Sequence, residues 1–253
     1  MVVNKLKERL ARGETAIGTF IASGSPDLVE ILGLTGFHFV VIDCEHSFYG
    51  PEKIQHMIRA AELRGITPII RIPNAMEFNI LHVLDVGAHG IQVPQVNDAQ
   101  TAREIVAHAK YSPAGRRGIV APRAADYGMT NLTEYFSYEN EQTMIITHCE
   151  NQNCLDNLEE ICQIPEIDVV FLGPYDMSQS LGILGQVTHE KIEDAAKRVL
   201  EITRKYNKIA GIYTGSGAQA KERARQGFRY IAVSTDTFLF ADKYKQEYQA
   251  FQD

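Results

Sequence analysis

The 253 residues are 45% hydrophobic and 23% charged, an ordinary balance for a globular protein with a full core, held in one large domain or two small ones. The formal charge of −7 argues against nucleic acid and anionic lipid as partners, although a local cationic pocket can still hold a small acidic ligand. No apolar run approaches the ~20 residues of a membrane span, so no membrane partner is expected.

At the amino end, Leu6 and Leu10 stand four apart among charged residues and predict a short amphipathic helix. With no apolar core and no small-residue cleavage site, this segment does not read as a secretory signal, and a cytoplasmic location is expected. Eight short apolar, β-branched runs follow: Ala16–Ile21, Phe37–Ile42, Thr67–Ile70, His89–Val93, Thr143–Thr147, Asp168–Leu172, Ile209–Tyr213 and Tyr230–Val233. They do not alternate polar with apolar, as expected of parallel strands buried on both faces. Between them lie helical stretches at Asp27–Leu34, Pro51–Arg64, Asp98–Lys110, Thr188–Tyr206 and Ser216–Gln226. Several runs are preceded by a glycine (LTGFHF, LRGITP, RQGFRY), the preferred residue just past a helix end. The repeated helix–Gly–strand unit predicts a (β/α)8 barrel, since eight such strands in ~250 residues fit closure. The competing arrangement is an open doubly wound sheet, weakened by the absence of G-x-G-x-x-G after an early strand.

The rhythm breaks between the fourth and fifth strands, where Tyr111–Gly128 (YSPAGRRGIVAPRAADYG) is irregular and rich in Arg, Gly and Pro. Such a segment is often functional, and it is expected over the barrel mouth or at a subunit contact. No low-complexity linker divides the chain, so residues 1–253 are read as one domain. The cysteines (Cys44, Cys149, Cys154, Cys162) form no C-x-x-C and suit reduced structural thiols, two of them beside candidate site residues.

Barrel chemistry gathers where strands end. The second strand ends at Asp43, Glu45 and His46, and the third at Arg71. Asp85 ends the helix before the fourth strand, which itself leads to Gln92 and Gln95. The fifth offers His148 and Glu150, and the sixth Gly173, Pro174 and Asp176. The last two supply Tyr213, Thr214, Ser234 and Asp236. Glu150 and Asp176, from adjacent strands, suit a hard cation completed by water and substrate oxygens, or else they pair with arginines at the rim. Arg71 can hold a carboxylate or a developing enolate oxygen in its planar fork, or form a structural pair with Asp43 or Glu45. His46 is the best acid–base candidate, with an unperturbed pKa near ~6.5. No lysine stands at a predicted strand end to form a Schiff base.

The segments VVIDCEHSFYG, IIRIPN, LDVGAHGIQVPQV, SPAGRRG, THCE and VFLGPYDMSQSLG, in this order, resemble the HpcH/HpaI aldolase family. The resemblance runs from Thr15 to Phe238. It implies a (β/α)8 barrel and a hexamer of dimers that exchange their last helix. It also implies a divalent metal (Mg²⁺, Mn²⁺ or Co²⁺) held by Glu150 and Asp176. His46 looks like the catalytic base, Asp85 like the acid that orients it, from this chain or a neighbouring subunit, and Arg71 like the group that binds the pyruvyl oxygen. The backbone around Gly173, Pro174, Tyr175 and Asp176 would face the pyruvate carboxylate. The implied reaction is cleavage of a 4-hydroxy-2-oxo acid to pyruvate and an aldehyde. The chain departs from the pattern at His148, where the family often has Gln, which makes His148 a further metal or substrate contact. It departs again at Ser47, Phe48 and Tyr49, which help shape the aldehyde pocket. Two other readings stand beside this one. A citryl- or malyl-CoA-type lyase would need Arg116, Arg117 and Arg123 for the CoA phosphates, and a non-catalytic barrel scaffold would need none of these groups.

Overall fold

A computed structural model describes residues 1–252. Eight parallel strands close in sequence order: β1 (Ala16–Ile21), β2 (Phe39–Asp43), β3 (Thr67–Arg71), β4 (Gly90–Val93), β5 (Met144–Cys149), β6 (Val169–Leu172), β7 (Ile209–Thr214) and β8 (Tyr230–Thr235). The closing ladder pairs Ala16 with Tyr230, Ile17 with Ile231 and Gly18 with Ala232, which excludes the open sheet. The eight predicted runs are these strands. In five of them the ladder continues one or two residues past the predicted end, to Asp43, Arg71, Cys149, Thr214 and Thr235. A polar side chain aimed into the barrel mouth does not stop its own backbone from pairing.

Side chains alternate between two apolar layers. Met144 and Ile146 of β5 face the barrel interior with Phe39, Val41, Ile69, Val169, Phe171 and Tyr230, while Ile145 and Cys149 face the surrounding helices. The interior packs large residues against absent ones. Phe39 and Tyr230 stack with ring centroids 4.2 Å apart, and a Cβ on Gly18 would lie 2.3 Å from the Phe39 ring. The predicted first helix, α1 (Lys5–Ala11), plugs the lower end of the barrel with Leu6 and Leu10. Asn4 caps it and donates its amide to the carbonyls of His89 and Gln142 at 2.8 and 2.9 Å.

The outer helices are α2 (Pro26–Leu34), α3 (Pro51–Arg64), α4 (Glu77–Asp85), α5 (Ala99–Ala109), α6 (Leu132–Gln142), α7 (Gln152–Asp156), α8 (Leu158–Cys162), α9 (Pro174–Ser180), α10 (Glu190–Lys205), α11 (Gly217–Gln226) and α12 (Asp236–Gln252). Their ends follow local chemistry. In α3, Pro51 occupies the first turn and Gly65 terminates the helix in the left-handed region at φ 71°. In α10, Glu190 and Glu193 open the helix and Arg204 and Lys205 end it, each complementing the helix dipole.

The gap before β5 holds a 3-10 turn (Arg123–Gly128) and α6, both unmarked by the sequence pattern. Nor does Tyr111–Gly128 cover the barrel mouth. Arg117 pairs with Asp85 at the end of α4, and Arg123 pairs with Glu62 near the end of α3, so the segment is tied to the opposite, amino-terminal rim. In α12, by contrast, every residue after Asp236 is exposed, including Phe238, Phe240, Tyr244, Tyr248 and Phe251. Among the described residues no helix is long and apolar enough to cross a membrane.

Candidate active site

A cavity of about 700 Å³ opens at the carboxyl ends of the strands, as barrel geometry requires. His46, Arg71, His148, Glu150, Gly173, Pro174, Tyr175 and Asp176 all line it. Eight of the nine residues expected as catalytic, metal-binding or pyruvate-binding groups therefore converge on one space. The ninth, Asp85, does not. At the carboxyl end of α4 it lies on the opposite rim, its carboxylate 2.8 Å from Arg117 Nη2. Within one chain it has no route to His46.

Arg71 closes β3 and is held as a clamp. Its Nε and Nη2 donate to the two Asp43 oxygens at 2.9 and 2.8 Å, and Nη1 meets Glu45 at 3.0 Å. The ring of Phe20 lies beneath the guanidinium, 4.8 Å from its carbon. Three of the five guanidinium N–H groups are thus used, and two remain for a ligand. The structural ion pair and the cavity-facing cation are the same residue. Burial pushes the Glu45 carboxyl above its usual range, against the pull of Arg71.

Glu150, at the end of β5, is buried, with its position fixed from three sides. The Gln95 backbone N–H donates to Oε1 at 2.7 Å, and His148 Nδ1 lies 2.7 Å from Oε2. Gly173 supplies the third constraint, because a Cβ there would lie 2.9 Å from Oε2. Burial alone would raise the Glu150 carboxyl, but His148, the Gln95 amide and Arg71 hold it below the usual carboxylate range. Asp176 faces the same cavity from the first turn of α9 and is exposed. Two carboxylates, one buried and oriented and one open, fit a hard cation that fills its remaining positions with water and substrate oxygens. Among the described residues no group of three or more His, Cys, Asp or Glu is arranged to hold a metal ion.

His46 stands on the loop after β2 with its side chain 68% exposed, its Nε2 3.8 Å from Glu45. Its backbone N–H reaches Asp43 at 3.4 Å, so the loop is anchored while the ring is free to meet a ligand. Tyr49 secures the same loop by donating its hydroxyl to the carbonyls of Ile21 and Asp43. Asp236, named at the eighth strand end, serves the scaffold: it accepts from the backbone N–H of Ala22 and Thr237, each at 2.8 Å. Burial pushes the Cys44 thiol up to about 12, and the hydrogen bond with Cys154, followed by burial, raises Cys149, which favours the protonated thiol in both at neutral pH.

Several lining residues were not singled out for the site. Phe20, Phe171, Thr235, Thr237 and Phe238 all reach the cavity, and Tyr213, noted only as a strand end, stands between Phe20 and Tyr175 with ring centroids 6.0 Å from each. Phe20 and Phe171 carry no signal in the sequence, because an aromatic at the top of a buried strand looks like core. Asp43 was legible as a strand end but not as the clamp on Arg71.

The sequence profile of the HpcH/HpaI aldolase/citrate lyase family matches residues 16–242. The 2-keto-3-deoxy-L-rhamnonate aldolase of Escherichia coli (strain K12) is 32% identical over 258 aligned positions, covering 100% of this chain and 94% of that protein. The crystal structure of an HpcH/HpaI aldolase from Desulfitobacterium hafniense DCB-2 superposes with a TM-score of 0.94 at 28% identity, covering 98% of this chain and 96% of that one. The citrate synthase SbnG superposes at a TM-score of 0.89 with 28% identity, covering 98% of this chain and 97% of its own. With the barrel, the mouth and the ordered motifs in agreement, the chain is a carbon–carbon lyase that belongs to the HpcH/HpaI aldolase/citrate lyase family.

Proposed function

We propose that this aldolase reversibly cleaves a 4-hydroxy-2-oxo acid, such as a 2-keto-3-deoxy sugar acid or 4-hydroxy-2-oxo-heptanedioate, to pyruvate and an aldehyde. The observation that carries this reading is the meeting of His46, Arg71, Glu150 and Asp176 around one cavity. A general base, a clamped cation and a carboxylate pair are what a charge-developing cleavage of a C–C bond needs.

The substrate carboxylate is taken by the backbone N–H groups that open α9 after Gly173 and Pro174, at Tyr175 and Asp176. Arg71 donates its free N–H groups to the 2-oxo oxygen. His46 removes the proton of the C4 hydroxyl, the C3–C4 bond breaks, and its electron pair moves to the enolate of pyruvate. Arg71 meets that charge where it develops. The enolate carbon then takes a proton to give the pyruvate methyl group, and the aldehyde departs. Glu150 and Asp176 would hold the divalent cation (Mg²⁺, Mn²⁺ or Co²⁺), which would supply Lewis-acid stabilisation of the developing enolate charge. Asp85 orients His46 across a subunit boundary, a role that the exposed side chain of His46 leaves room for.

The exposed aromatics of α12 support a homohexamer, a trimer of dimers in which this helix is exchanged. Residues 1–253 act as one domain, and the protein works in the cytoplasm on small oxo acids. The CoA-lyase alternative keeps only Arg116 of its three arginines free for phosphates, because Arg117 is buried against Asp85 and Arg123 is tied to Glu62.

The test is pyruvate release from 2-keto-3-deoxy-L-rhamnonate and 4-hydroxy-2-oxo-heptanedioate before and after EDTA treatment. Activity should vanish with the metal and return with Mn²⁺ or Mg²⁺. Full activity in the stripped protein overturns the metal reading, and turnover of neither acid overturns the substrate class.

A further inference from the structure

Behind Glu150 the barrel holds a run of buried hydrogen bonds that no step of the cleavage uses. Tyr230, wholly buried on β8, lies with its hydroxyl 2.8 Å from Gln92 Oε1 on β4. Gln92 Nε2 lies 2.7 Å from His148 Nε2, and His148 Nδ1 lies 2.7 Å from Glu150 Oε2. The ring of Phe171 packs against the imidazole at 5.0 Å between centroids and an interplanar angle of 31°.

The direction of these bonds follows from what each group can do. The Tyr230 hydroxyl has Gln92 as its partner, and a buried hydroxyl proton left without an acceptor is destabilising. Tyr230 therefore donates to the Gln92 oxygen, which turns the Gln92 nitrogen towards His148. An amide N–H only donates, so His148 Nε2 presents its lone pair. The ring proton then sits on Nδ1 and faces the Glu150 carboxylate.

We propose that His148 is a positioning residue rather than a ligand, locked by Tyr230 and Gln92 as the Nδ1–H tautomer so that its N–H aims the Glu150 carboxylate at the cation. This rests on the reading of Glu150 as a metal ligand. Both ring nitrogens are engaged inside the protein, so neither is available to the metal or to substrate. The His148 N–H takes one Glu150 oxygen and the Gln95 N–H the other, at 2.7 Å each, so the carboxylate cannot swivel in its buried site. A histidine replaces the family's frequent glutamine without adding a nitrogen ligand, and the donor set stays all oxygen, as a hard cation prefers.

The experiment uses full-length protein labelled with ¹⁵N in its eight histidine rings, with His148→Asn to assign the His148 signals. The expected spectrum shows a protonated Nδ1 and an unprotonated Nε2 for His148, both unmoved by saturating Mg²⁺. Tyr230→Phe keeps the ring volume, frees the Gln92 amide to flip, and should bring in an Nε2–H population. Mn²⁺ affinity is read by electron paramagnetic resonance. His148→Leu should weaken it about 10–100-fold, the range for losing a group that orients a ligand. His148→Asn, whose amide nitrogen replaces Nδ1, should recover most of the loss, and Tyr230→Phe should weaken binding less than His148→Leu. At saturating Mn²⁺, kcat of Tyr230→Phe should return to the wild-type value.

An Nε2–H tautomer in the wild type, an Nε2 signal displaced by Mg²⁺, or wild-type Mn²⁺ affinity in His148→Leu would each overturn the proposal. Wild-type Mn²⁺ affinity in Glu150→Gln would instead sink the metal reading, while the ring signals would still decide the tautomer.

Discussion

Arg71→Met separates charge from packing at the centre of the site. Methionine fills a similar volume, so the loss is of the guanidinium and its contacts. The Arg71 side chain is 13% exposed and the Asp43 carboxylate beside it 5%. Removing one partner of a buried pair leaves the other uncompensated and costs about 3–5 kcal/mol. Asp43 keeps the backbone N–H groups of Glu45 and His46, at 3.1 and 3.4 Å, which puts the expected loss near the lower end. Urea unfolding should therefore show a stability lower by about 3 kcal/mol with an unchanged slope. The loss should also depend on pH. Burial already raises the Glu45 carboxyl, and Arg71 is the chief group opposing that rise. Without Arg71 the folded-state pKa climbs further above the unfolded one. The penalty is then fully present above the folded-state pKa, and it shrinks on acidification through that pKa towards the unfolded carboxyl value near ~4.3. The second effect is on turnover. A donor aimed at a developing oxyanion is worth about 10²–10³-fold, so kcat for pyruvate release at saturating metal should fall by that factor. Arg71→Lys, which keeps a charge but not the planar fork, should fall between. Wild-type stability in Arg71→Met would refute the buried clamp, and a wild-type kcat would refute the role assigned to its charge.

Gly173→Ala places a Cβ 2.9 Å from Glu150 Oε2 and 3.1 Å from Glu150 Cβ, so it should displace the carboxylate and weaken Mn²⁺ binding; unchanged affinity by titration calorimetry would show that the glycine does not shape the ligand. Lys110 is buried and donates to the carbonyls of Asn140 and Thr143 at 2.6 Å each, yet desolvation lowers its pKa from the usual 10.5 to about 8. A folded pKa below the unfolded one means that the cost of burying the charge is fully present below about pH 8 and is relieved as pH rises towards 10.5, by about 3 kcal/mol at most. Wild-type stability measured relative to Lys110→Met should rise across that window, and a flat difference would contradict the desolvation account. Paired substitutions Phe240→Asp and Tyr244→Asp on the exposed face of α12 should lower the sedimentation coefficient without altering the circular dichroism of the barrel; an unchanged assembly would show that this helix is not the contact.

The fold was readable because its signals are local. Each buried strand of the barrel is a short β-branched run, and several units are punctuated by a helix-ending glycine such as Gly65 or Gly227, both with positive φ. Glu150, Asp176, Arg71 and His46 were readable because barrel chemistry sits at strand ends, so position along the chain already encoded position in space. The segment Tyr111–Gly128 was not: its place depends on Arg117 finding Asp85 and Arg123 finding Glu62, partners 32 and 61 residues away. Phe20 was hidden for a related reason, since only the closing of β1 against its neighbours puts that ring under Arg71.

The sequence alone thus determined eight strand–helix units, the strand ends where barrel chemistry gathers, and the carboxylates, histidine and arginine placed there, because these follow from strand periodicity and strand order; that the sheet closes was decided by β1 pairing with β8. Tertiary structure alone decided that Arg71 is clamped by Asp43 and Glu45, and that Asp85 lies at the far rim. It also decided that Tyr230 and Gln92 dictate which nitrogen of His148 faces Glu150. Those outcomes are directions and distances between strands remote in sequence. They are set when the barrel closes and buried polar groups must each find a partner.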